Sequence, residues 1–226
     1  MAIDWQTFRL TLFLAFTVSL ILLALGLPVA YWIAFSRWRW RFLVEAFVAL
    51  PIVLPPTVLG FYVLVALGPR SPLGRWWISL TGHTLAFTFT GLVVGSILYS
   101  LPFAVQPFTA AIAAVDPRLV EASHALGVSR LATFFRVTVP LSWNGLLAGA
   151  VLAFAHTVGE FGVVLMVGGN LAGRTRTLSI ALFDHVEALE YDAANRTAAL
   201  LLALSFAVLV AVYALQRRPA LRWTAR

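Results

Sequence analysis

Few residues in this chain of 226 have side chains suited to chemistry, and they are scattered. The four histidines, at 83, 124, 156 and 185, form no His-Glu-x-x-His zinc motif, and no Gly-x-Ser-x-Gly elbow is present. Cysteine is absent, which excludes disulfide frameworks, thiol nucleophiles and Cys-ligated metals. All sixteen basic residues are arginine. Without lysine there is no Schiff base and no P-loop, so the chain does not hydrolyse ATP through that motif. A serine nucleophile would need a base beside it, and neither Ser100 nor Ser205 has a histidine at an evident matching depth. No catalytic, metal or cofactor site is expected, and an enzyme is the remote alternative.

Two features remain. Glu160 lies in a long apolar run, where an ionisable side chain is costly and often functional. It reads either as a gate or structural hydrogen bond beside a pathway, or as a carboxylate that snorkels to the membrane surface or pairs with Arg174 or Arg176. His156, four residues earlier, could pair with it or be a satisfied interior histidine. The second feature is Pro51-Ile-Val-Leu-Pro55-Pro56, where three prolines remove backbone donors and break the helical ladder. In lipid such a break is tolerated only against protein or a watery cavity. Pro51, Pro55, Pro56 and Glu160 are therefore the pathway or gate candidates.

The elements that carry these residues are apolar. Hydrophobic residues make up 61% of the chain and charged ones 11%, with a mean hydropathy of +0.92. Soluble domains average about 45–50% and about 25%. A soluble or disordered protein is excluded, and the class is all-α, polytopic and membrane-embedded. Five runs are long enough to span: 10–35, 42–67, 85–103, 141–168 and 197–215. Gly91/Gly95 and Gly145/Gly149 make small-residue faces for close helix contact, within one chain or between two. The segment 169–196 holds four acids, which argue against a sixth short span, and within it 178–189 suits a short amphipathic helix.

Between the third and fourth runs, 106–136 is too polar to span. Asp116-Pro117 supplies a helix N-cap and a first-turn proline, Gly127 a C-terminal stop, and 131–139 a second amphipathic piece. Pro140 marks entry to the fourth run. A helix protruding at the membrane surface is an interface for a partner.

Glu121-Ala122-Ser123, three residues, Gly127, nine residues and Val137-Thr138-Val139-Pro140 resemble the cytoplasmic loop signature of permease subunits of bacterial ABC importers. That signature reads Glu-Ala-Ala, three residues, Gly, nine residues, Ile-x-Leu-Pro. The departures at Ser123, Val137 and Val139 are small. Leu50 to Pro56 and Gly159-Glu160-Phe161-Gly162 are similar to segments of the oxyanion permeases. The stretch from Gly173-Arg174-Thr175-Arg176-Thr177 to Asp192-Ala193-Ala194 resembles the molybdate permease most.

The resemblance implies one transmembrane permease domain over 1–226, with a type-1 core at about 8–216 and a coupling loop at 106–140. It implies a homodimer, two ATPase subunits docked at Glu121 to Gly127, and an external binding protein that delivers the anion. ATP and Mg would belong to the ATPase. The anion would be molybdate, with tungstate or sulfate as alternatives, and an ATP-independent channel or carrier as the alternative from another class. No arginine lies mid-span, so the passage should bind the anion weakly, leaving selectivity to the binding protein. The net charge of +7 is read as arginine flanking the spans in a lipid bilayer, not as a nucleic-acid surface. Arginine counts of ten against five place the N-terminus outside and the C-terminus inside a bacterial cytoplasmic membrane.

Overall fold

The computed structural model describes residues 4–216, and they are helical throughout, joined by turns. α1 (Trp5–Phe35) starts at Asp4, whose carboxylate accepts from the N–H groups of Gln6 and Thr7. α2 (Arg41–Val53) and α3 (Pro56–Leu67) follow, then the short α4 (Pro72–Thr81) and the long α5 (Phe89–Ala113). α6 (Pro117–Ala125) is the helix of the polar connection. α7 (Arg130–Thr133), a π-helical turn (Phe134–Thr138) and α8 (Val139–Gly159) run on as one rod, Arg130–Gly159. α9 (Gly162–Gly168), α10 (Leu178–Glu187) and α11 (Tyr191–Gln216) complete the chain.

Four stretches are long and apolar enough to cross a membrane: Trp5–Phe35, Phe89–Ala113, Arg130–Gly159 and Tyr191–Ala214. α2 and α3 make a fifth only as a broken pair, bent by 111°. The all-α, five-span expectation therefore holds. Within the expected connection, 106–140, long helices enter from both sides. α5 continues to Ala113 and the next helix begins at Arg130, which leaves α6 and its flanks outside the spans. Pro140 does not start the fourth span either. The helix passes through it, because the π-helical turn just before it absorbs the missing donor, with Val139 N–H reaching back five residues to Phe134 O.

α1, α5 and α8 form the centre, around Leu14, Val18, Leu22, Phe108, Ile112 and Leu146. α2 lies on α5, α3 on α9, and α11 on α8 and α10. Helices in lipid gain little from the hydrophobic effect and associate through close packing, which small residues allow. Both glycine pairs serve this chain's own packing. A Cβ on Gly149 would sit 2.7 Å from the Phe108 ring, and one on Gly95 3.0 Å from Val163. They are consumed within the chain and are not free for a second copy. Gly149→Val should therefore cost about 1–3 kcal/mol by overpacking. Gly159→Ala, with nothing within 4 Å of the added Cβ, should cost a few tenths at most. Unfolding midpoints in detergent decide it, and equal midpoints for the two variants would refute this packing.

Candidate functional site

The two broken helices meet at their breaks. Leu54 is extended, as residues before proline are, and Pro56 opens α3 at its first position. The second break is at Glu160, also extended, between α8 and α9. A Cβ added to Gly162 would lie 2.5 Å from Pro56 Cβ, and one on Gly60 2.8 Å from Met166 Cβ, so the two breaks are in backbone-close contact. Pro51 is buried in α2, whereas Ile52, Val53 and Pro55 are exposed. Of the four candidates, the structure brings Pro56 against Gly162, two residues from Glu160; Pro51 and Pro55 lie beside Pro56 in sequence on the other side of the first break.

Glu160 is 4% exposed, and its carboxylate is fully used. Oε1 accepts from the N–H groups of Val163 (2.9 Å) and Val164 (3.0 Å) at the start of α9, and Oε2 accepts from Ser96 Oγ on α5 (3.2 Å). Its main-chain carbonyl accepts from Ser179 Oγ on α10. These bonds satisfy the orphan donors that a helix start exposes. Of the sequence readings, the structural hydrogen bond is the one the geometry supplies. The pairing with Arg174 or Arg176 is not formed: Arg176 lies 3.6 Å from Asp184, and its Nε donates to Asn170 Oδ1, which sits beside the same carboxylate.

His156 does not pair with Glu160. Its ring stacks on Phe103 at 3.8 Å between centroids and lies 4.8 Å from Tyr99, while Nδ1 is 2.9 Å from Ser100 Oγ. This corrects the sequence reading that Ser100 has no histidine at its depth. The pair is nevertheless no nucleophile and base. Ser100 is fully buried, also bonds Thr157 Oγ1 at 2.8 Å, and no carboxylate orients the ring. It ties α5 to α8. Sequence spacing could not find it, because Ser100 and His156 are 56 residues apart.

The second candidate region is α6. None of its residues is buried. Asp116 caps it through Arg118 N–H at 2.9 Å, and Gly127 ends it with a φ of +77°, a conformation that strains any residue with a Cβ. Ser123, one of the departures from the signature, has a structural use: its hydroxyl meets Thr133 Oγ1 at 2.9 Å and joins α6 to α7. Glu121 and Ala122 are exposed on α6, and Pro140 on the rod that follows. Leu126 and Leu131, 83% and 68% exposed, flank the turn. Groups that would ligate a metal (three or more of His, Cys, Asp and Glu together) are absent among the described residues.

A multi-span helical protein with broken helices packed at their breaks, and an exposed capped helix projecting from one end, has the build of a transport permease. Residues 25–219 match the family described as the binding-protein-dependent transport system inner membrane component, and the chain belongs to that family. It is the permease subunit of an ATP-driven importer and not itself an enzyme. It is 50% identical, over 95% of both chains, to a molybdenum transport system permease protein of Azotobacter vinelandii. It is 30% identical to a sulfate transport system permease protein of Escherichia coli, over 93% of this chain and 76% of that one. The fold superposes on a chain of the inward-facing MetNI methionine ABC transporter with a TM-score of 0.72 at 19% identity, covering 95% of this chain and 99% of that one.

Proposed function

We propose that the chain translocates molybdate into the cell by alternating access. Two copies line the pathway, two ATPase subunits dock on α6, and an external binding protein delivers the anion. The observation that carries the docking is α6 itself: a capped helix with no buried residue, flanked by exposed leucines, rigidly joined to a 30-residue rod. A push on α6 is passed to α8 through the Ser123–Thr133 contact and the continuous helix. ATP binding to the partner then biases a two-state element, the broken helices, through a ligand bound far from it. The 50% identity to a molybdenum permease, against 30% to a sulfate permease, favours molybdate over sulfate.

The end that carries α6 faces the cytoplasm, where ATP is. The arginine counts agree, ten against six once Arg196 is added to the outer end, where it lines a pocket with Asp4 and Arg176. Four of the ten, Arg217, Arg218, Arg222 and Arg226, lie outside the described residues.

The deciding experiment is ATPase activity of the reconstituted complex in lipid. Stimulation by molybdate-loaded binding protein, but not by the sulfate-loaded form, is expected. Equal stimulation by both would overturn the substrate, and no associated ATPase would overturn the docking. Gly127→Val is expected to reduce transport about tenfold or more while the spans still insert. The space around Gly127 is open, so the substitution acts through its positive φ, at about 1–2 kcal/mol, on the shape of the turn. Normal coupling in that variant would remove Gly127 from the docking surface.

A further inference from the structure

We infer that the groove between α1 and the α6–α7 corner holds one anionic phospholipid. The groove has a volume of about 1450 Å³. One wall is α1, presenting Leu23, Leu27 and Trp32, and the other is Phe134 and Phe135 on the rod that starts with α7. Its mouth carries three nitrogen bases, Arg37, His124 and Arg130. Among the described residues neither Arg37 nor Arg130 has a carboxylate partner; Arg41, in contrast, is paired with Glu45 at 3.0 Å.

The dimensions select a lipid. From Leu23 to Phe35 the α1 axis rises about 18 Å at about 1.5 Å per residue. Half of a hydrocarbon core is about 15 Å. The apolar wall is therefore one leaflet deep and ends where headgroups lie, and the cations begin there. A cytoplasmic subunit could cover the mouth but could not reach Leu23 and Leu27 at hydrocarbon depth. Acyl chains reach them without cost, and a phosphate at the mouth finds two guanidinium groups, which bind phosphate through several directed hydrogen bonds. Basic pockets between helices at a cytoplasmic face select anionic lipids on these grounds. The groove is bounded by the last turns of α1 and by α7, the first part of the rod that carries α6's motion. An occupant there would brace the corner through which α6 acts.

The test is native mass spectrometry of the permease, purified with its ATPase subunits, after exchange into nanodiscs of phosphatidylglycerol and phosphatidylethanolamine. Both faces of a nanodisc offer the same lipid, so the result is independent of the orientation and substrate argued above. The wild type should retain one phosphatidylglycerol per permease chain through detergent release. R37Q/R130Q should weaken that retention about tenfold or more. Leu27→Trp, which narrows the apolar wall and leaves the mouth intact, should also weaken it, and water-soluble glycerophosphoglycerol should not compete. The control R70Q/R75Q, on the opposite end, should retain the lipid. Undiminished retention in R37Q/R130Q overturns the proposal. So does loss of the ATPase subunits, or of a second permease copy, from that variant with lipid retention unchanged, since the groove would then be a protein interface. Competition by glycerophosphoglycerol would reduce it to a phosphate site without a lipid.

Discussion

Glu160→Ala is expected to destabilise the protein by about 3 kcal/mol or more, with transport lost together with the folded chain. The carboxylate satisfies three buried donors, the N–H groups of Val163 and Val164 and the hydroxyl of Ser96. Each donor left unpaired away from water costs about 1–3 kcal/mol. Total stabilities are about 5–15 kcal/mol, so the loss is a large share of what holds the chain together. Glu160→Gln keeps the side-chain length and one carbonyl oxygen for the two N–H groups, and its amide can donate to the Ser96 oxygen. Its cost should be about 1 kcal/mol, with transport largely kept. Unfolding midpoints in detergent and uptake of the anion in proteoliposomes separate the possibilities. If the Ala variant kept its midpoint and lost only transport, Glu160 would be a gate and not the clamp of a broken helix. If the Gln variant lost transport at an unchanged midpoint, the negative charge itself would be required.

The contrast between Glu160 and α6 shows which parts of this molecule a linear reading can reach. α6 is specified locally: Asp116, Pro117 and Gly127 fix its start and end within a dozen residues, and the helix forms where those residues put it. The spans are legible for a similar reason, since twenty consecutive apolar residues need no partner to be recognised. The break at Pro55-Pro56 could be located, but not its angle of 111°, which depends on α3 packing against α9. Glu160 could be singled out as an oddity, yet its role depends on Ser96, 64 residues away, and on a helix break that no proline announces. A similar separation, 56 residues, hid the Ser100–His156 contact. It also hid the use of Gly95 and Gly149, because a small-residue face looks the same whether it meets its own chain or another. Local punctuation was readable, then, and the polar contacts made across the bundle were not.

The junction of the two breaks carries the second large effect, and Gly162→Ala is expected to disrupt it. The added Cβ would lie 2.5 Å from Pro56 Cβ, with Pro56 backbone atoms 3.4–3.5 Å behind it. A proline ring has no rotamer by which to withdraw, so one of the two helices must shift, at about 1–3 kcal/mol. Because α3 and α9 pack together here, at Pro56 and at Gly60, the shift separates the two broken helices. If they are the moving parts of the pathway, transport should fall about tenfold or more. Pro56→Gly removes the opposing Cβ, at its own cost in backbone freedom. The double variant should then be more stable than the sum of the single changes implies, by about 0.5–3 kcal/mol, the range found for residues in direct contact. Recovery of both midpoint and uptake in the double variant would tie transport to the distance between the breaks. Additive losses would show that Pro56 and Gly162 do not touch. Recovery of the midpoint without uptake would show that the junction is structural, and would move the pathway to another face of the bundle.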